Sequence, residues 1–68
     1  MTESKDEYLY SSANLKKARR KAGYTQEQAA EQIGVSVDMV RAYEQGRSEP
    51  PLSRLRDMGR LYGVSFKV

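Results

Sequence analysis

The sequence predicts an all-α fold, a small domain of four to five helices with short extended termini. Three observations predict it. Apolar residues recur at spacings of three and four in four separate stretches; a serine, threonine or proline heads each stretch; and a glycine closes each, at Gly23, Gly34, Gly46 and Gly63. Such spacing lines one face of a helix. The short polar side chain accepts from the first free amides, and glycine ends a helix at positive φ without steric cost. At 68 residues one domain is expected, with residues 1–11 as an N-terminal extension, 12–66 as the folded unit and 67–68 as a C-terminal tail.

The first helix starts behind Ser11 or Ser12 and runs to about residue 22, with Leu15 and Ala18 inward and Gly23 as its stop. The second opens on Thr25 and Gln28, three residues apart as in a capping box, so that it begins at Gln26. Ala29, Ala30 and Ile33 take its apolar face, while Glu27, Gln28, Glu31 and Gln32 look outward. Ala30 is the small residue that lets the next helix cross closely. Gly34 ends this helix and Ser36 caps the third, residues 36–45, whose inward face is Val40 and Tyr43 and whose stop is Gly46. That leaves Val37, Asp38, Arg41 and Ala42 pointing outward. Pro51 suits a first helical position, and Leu52, Leu55, Met58, Leu61 and Tyr62 follow as the apolar face of the fourth helix, ended by Gly63. Residues 64–68 alternate like a short strand, and Glu7-Tyr8-Leu9-Tyr10 is the other short aromatic run; a frayed terminus is the plain alternative at both ends.

Two short helices joined by one glycine-containing turn, residues 25–44, make a helix-turn-helix. That motif presents its second helix to the major groove of DNA, N-terminal side chains foremost. Charge agrees. Residues 1–13 sum to −2, so residues 14–68 carry +5, with Lys16, Lys17, Arg19, Arg20 and Lys21 on one helix and Arg41, Arg47, Arg54, Arg56 and Arg60 following the motif. Arg41 can donate two bonds to guanine O6 and N7, or turn to a phosphate for affinity without specificity. Val37 can meet a thymine methyl. Asp38 repels phosphate but accepts from a cytosine amino group, and equally it favours the helix start it occupies.

Composition sets aside other classes. With no cysteine and no histidine, the commonest metal ligands and general base are missing, so no metal and no cofactor are expected. No carboxylate pair or nucleophile with a base stands out, so the chain does not read as an enzyme. No apolar run is long enough to span a membrane and the N-terminus lacks a leader's apolar core, so a cytoplasmic, nucleoid-associated protein is expected.

Across residues 15–65 the sequence resembles the Cro and phage-repressor type of helix-turn-helix domain, the lambda repressor-like or XRE-type family of bacterial and phage regulators. The family's Leu-x-x-x-Arg falls on Leu15 and Arg19, its Gly-apolar-Thr/Ser-Gln on Gly23-Tyr24-Thr25-Gln26, its central alanine on Ala30 and its apolar-Gly-Val-Ser on Ile33-Gly34-Val35-Ser36. Its Glu-Asn-Gly-Lys/Arg falls on Glu44-Gln45-Gly46-Arg47, its proline on Pro50 and its closing Leu-Gly-Val-Ser on Tyr62-Gly63-Val64-Ser65. The resemblance implies that Val37, Asp38, Arg41 and Ala42 face bases. It implies that Gln26 braces them on the DNA backbone, that Thr25, Ser36, Gln45, Gly46 and Arg47 lie at or beside phosphates, and that Arg19 and Glu44 form a buried ion pair. Three positions depart from it: Ala29 for leucine, Gln45 for asparagine, and Gly59 for alanine, which softens the fourth helix unless a backbone contact there repays it.

The function so implied is a sequence-specific transcriptional regulator, a repressor acting by occupying a palindromic operator in double-stranded DNA, with no membrane and no small-molecule ligand. The alternative is an antitoxin-like interaction module in which exposed Tyr8, Leu9, Tyr10 and Phe66 bind a protein while DNA binding is autoregulatory. A homodimer, at least on DNA, is expected. The family commonly continues into a fifth helix, of which this sequence has only Phe66-Lys67-Val68; the chain ends are therefore the first choice of dimer surface, and the fourth helix around Arg54, Met58 and Leu61 the second.

Overall fold

A computed structural model describes residues 6–68, so the first five residues of the expected extension lie outside the described residues. In chain order the elements are β1 (Asp6–Leu9), α1 (Ser12–Lys21), α2 (Gln26–Ile33), α3 (Val37–Gln45), α4 (Leu52–Tyr62) and β2 (Val64–Lys67). The helix starts follow the sequence signals. The Ser11 and Ser36 hydroxyls accept from the amides of Asn14 and Met39, and Thr25 with Gln28 forms the full capping box. Gly34 and Gly46 close α2 and α3 at φ +89° and +77°. Pro51 is the flanking residue before α4 rather than its first helical position, since its ψ of 160° is extended.

The helices close over Leu15 and Met58, which are fully buried, with Ala18, Ala29, Tyr43, Leu55 and Tyr62 around them, and Val40 is fully buried as well. Ala30 is buried where α2 crosses α3, and both the Gly34 and Val35 amides donate to its carbonyl, making the corner tight. Three expected core positions differ, Ile33 being only half-buried. Leu52, in the first turn of α4, is 55% exposed because the helix begins at the surface, and Leu61 is only half-buried.

The chain ends join. β1 and β2 pair in parallel, Asp6 opposite Val64 through Leu9 opposite Lys67, and the Tyr10 amide donates to the Lys67 carbonyl at 2.6 Å. Parallel pairing needs a long crossover between the strands, and here the four helices supply it. Tyr8 and Phe66 turn inward with ring centroids 6.1 Å apart and pack on the core together with Tyr10. The expectation of an exposed aromatic set is therefore corrected: of Tyr8, Leu9, Tyr10 and Phe66, only Leu9 stands out into solvent. β1 is tied to α1 where Asn14 donates to the Leu9 carbonyl at 2.7 Å and Lys21 pairs with Asp6 at 2.7 Å; that carboxylate holds the Lys21 ammonium above its usual pKa.

Gly59 explains the unusual residue in α4. A Cβ built there would stand 2.8 Å from the Val64 carbonyl oxygen, so only glycine lets β2 lie against the helix backbone. Glycine costs a helix interior about 0.5–1 kcal/mol against alanine, and the contact with β2 is what repays it.

Candidate nucleic-acid interface

The surface expected to meet DNA is built from the start of α2, the start of α3 and the loop after α3. Its foundation is a buried ion pair. Arg19 on α1 grips Glu44 at the end of α3 through two bonds, Nε to Oε2 at 2.7 Å and Nη2 to Oε1 at 3.1 Å. Its Nη1 donates to the Tyr24 carbonyl at 2.7 Å, just before the Thr25 cap of α2. A two-pronged guanidinium–carboxylate contact fixes orientation as well as distance, so one side chain sets α1, α3 and the entry to α2 against one another. Gln26 joins the same network, its Nε2 donating to Glu44 Oε1 at 3.1 Å. The sequence did not show that link, which depends on two helices meeting end to end.

The capping box uses the amides of Thr25 and Gln28, which leaves those of Gln26 and Glu27 as the orphan donors of a helix start, the arrangement that suits a phosphate oxygen. Ser36 spends an acceptor on Met39 and keeps its hydroxyl proton free. After α3 the chain turns at Gly46, where the Arg47 and Ser48 amides both donate to the Ala42 carbonyl. Gln45 Oε1 accepts from Arg47 Nε at 2.7 Å and holds that guanidinium beside the loop.

On α3, Asp38 is exposed and Val37 and Arg41 are half-exposed. Ala42 is a correction. Helical spacing places it outward, but in the packed domain it is 8% exposed, so its methyl is not on the surface. The structure also shows what the sequence reading missed. Arg41 Nη1 lies 2.9 Å from Asp38 Oδ1, and its Nη2 lies 4.0 Å from Oε2 of Glu27 on α2. The three-residue spacing of Asp38 and Arg41 on one helix was a legible signal; the approach of Glu27 was not.

Nearby, the Tyr62 hydroxyl is buried with no hydrogen-bond partner among the described residues, and burial first, then the Glu44 charge, pushes its pKa up to about 12. Among the described residues no group of three His, Cys, Asp or Glu converges as metal ligands, and no helix is long and apolar enough to cross a membrane.

A helix-turn-helix family model matches residues 15–68, the span from the first core leucine to the last residue. The chain belongs to the lambda repressor-like helix-turn-helix family. It is similar to the HTH-type transcriptional regulator ImmR of Bacillus subtilis (strain 168), 41% identical over 51 residues, which are 75% of this chain and 40% of that protein. It is also similar to the SPbeta prophage-derived uncharacterized HTH-type transcriptional regulator YonR of the same organism, 37% identical over 51 residues, 75% of this chain and 47% of that one. The chain thus spans less than half the length of either relative. The family is one of DNA-binding transcriptional regulators.

Proposed function

We propose that this protein is a sequence-specific transcriptional repressor that lays α3 in the major groove of a palindromic operator and acts by occupying it as a homodimer. The observation that carries this reading is the Arg19–Glu44–Gln26 network. It rigidly joins the start of α2 to the end of α3, the two places where phosphate contacts are needed on either side of a reading helix.

In this reading Val37 and Arg41 meet base edges, with Asp38 beside them. The α2 amides, Thr25, Gln26 and Ser36 contact the backbone on one side, and Gln45, Gly46 and Arg47 contact it on the other. The names of the two relatives as transcriptional regulators support the class. Dimerisation follows from the economy of reading: one helix covers a few base pairs, and two related by a two-fold axis add their energies at half-sites about 34 Å apart. Leu52 and Val68 remain exposed beside the joined chain ends and supply apolar area for that contact.

Selection of bound fragments from a random duplex library tests the proposal. The expected product is a two-fold symmetric consensus with half-sites one helical turn, or a multiple of it, apart. A library that returns no enrichment over input overturns it.

A further inference from the structure

One carboxylate bonds the reading arginine and a second stands beside it. Asp38 reaches it from the first turn of α3 and Glu27 from the first turn of α2, each against a different terminal nitrogen of the guanidinium. The carboxylates are outermost: the Asp38 and Glu27 side chains are 87% and 70% exposed, that of Arg41 only 40%. The group carries a net charge of −1 at the middle of a surface offered to a polyanion. Helix capping does not explain it, because Ser36 and Thr25 already cap these two starts through Met39 and Gln28. Placement of the acids near helix N-termini is favourable in itself, but does not require them to converge on one arginine.

We propose that Glu27 and Asp38 act as a guard on Arg41, cancelling its attraction to phosphate so that it engages DNA only through a base. The idea rests on the DNA-binding reading above and names the substrate feature that releases the guard. An exposed ion pair contributes little, whereas a two-pronged arginine–guanine contact is the strongest base contact open to this side chain. A guanine within reach therefore draws Arg41 out of the pair. A phosphate does not, since the two acids repel it as the arginine attracts it. Once Arg41 has moved, the Asp38 carboxylate has a lone acceptor to satisfy, and the amino group of an adjacent cytosine or adenine meets that need. The recognised element is a guanine beside a base that presents an amino group in the major groove. Specificity here comes as much from what the acids reject as from what the arginine accepts.

The test uses the full chain, the duplex recovered by selection and a scrambled duplex of equal length, in a cycle of Glu27→Gln with Asp38→Asn against Arg41→Gln. Removing both carboxylates is expected to raise affinity for scrambled DNA about threefold to tenfold near 0.1 M salt and to steepen its salt dependence by about one unit, as Arg41 gains a phosphate. In the Arg41→Gln background the same pair of changes is expected to have less than half that effect, and the preference for selected over scrambled DNA is expected to fall. If scrambled binding does not rise, or rises equally with and without Arg41, the guard is overturned while the DNA-binding reading stands. If the unmodified chain binds neither duplex, both are overturned.

Discussion

Arg41 on α3 and Arg47 in the loop after it are six residues apart and are assigned opposite work, one to bases and one to phosphate. Arg41→Ala is expected to lower affinity for the selected site by about 1–3 kcal/mol while changing scrambled binding little. Arg47→Ala is expected to weaken both alike and to reduce the salt slope by about one unit per monomer, the loss of one phosphate contact. Titrations at several salt concentrations separate the two, and an equal loss on both duplexes for Arg41 moves that residue to the backbone. Tyr62 gives a prediction about stability. Its folded pKa of about 12 lies above the usual 10.0, so the unfolded chain releases the proton first, and the contribution is complete below pH 10.0 and lost as pH rises through about 12. Since the buried hydroxyl has no partner among the described residues, Tyr62→Phe is expected to be neutral or stabilising by up to about 1 kcal/mol and to flatten the alkaline loss. Thermal unfolding followed between pH 8 and 12 reads both effects, and a large destabilisation by phenylalanine identifies a hydrogen bond to that hydroxyl.

Helix positions were legible because caps and glycine stops are local chemistry: Ser11, Thr25, Ser36, Gly34 and Gly46 announce themselves within a few residues of where they act. Contacts between elements were less so. The Arg19–Glu44 pair came from the family resemblance and proved buried and two-pronged, but the addition of Gln26 to it, the approach of Glu27 to Arg41 and the burial of Ala42 all depend on tertiary packing. Gly59 was legible as an anomaly and became intelligible only with β2 lying across it. Two measurements follow. Removing either Arg19 or Glu44 alone is expected to cost about 3–5 kcal/mol because an uncompensated charge stays buried; a change under about 1 kcal/mol would mean that the pair behaves as an exposed one. Gly59→Ala would gain helix propensity, yet it is expected to destabilise by about 1–3 kcal/mol as the new methyl displaces β2. Chemical denaturation measures both, and a more stable alanine variant would show that the strand yields.

In the molecule as a whole, the pairing of β1 with β2 consumes Tyr8, Tyr10 and Phe66 internally, so less apolar area is left at the chain ends for a partner than the sequence promised. The second-choice dimer surface shrinks too: Met58 is fully buried and Arg54 is half-buried against α2, reaching toward the Ile33 carbonyl. The contact proposed for the homodimer accordingly centres on Leu52 and Val68, which line one shallow hollow with Phe66 between α4 and β2. Sedimentation of the chain with its selected duplex is expected to show two protomers per site, and Leu52→Ser to lower the cooperativity of that assembly; undiminished cooperativity would move the interface elsewhere. Nuclear magnetic resonance of the labelled chain titrated with the selected duplex shows whether α3 and its two flanking backbone contacts form the DNA face. The largest shifts are expected on Gln26, Val37, Asp38, Arg41, Gly46 and Arg47, with β2 and the exposed face of α4 responding only where protomers meet. Largest shifts on α1 or β1, with α3 unmoved, would place the DNA face elsewhere.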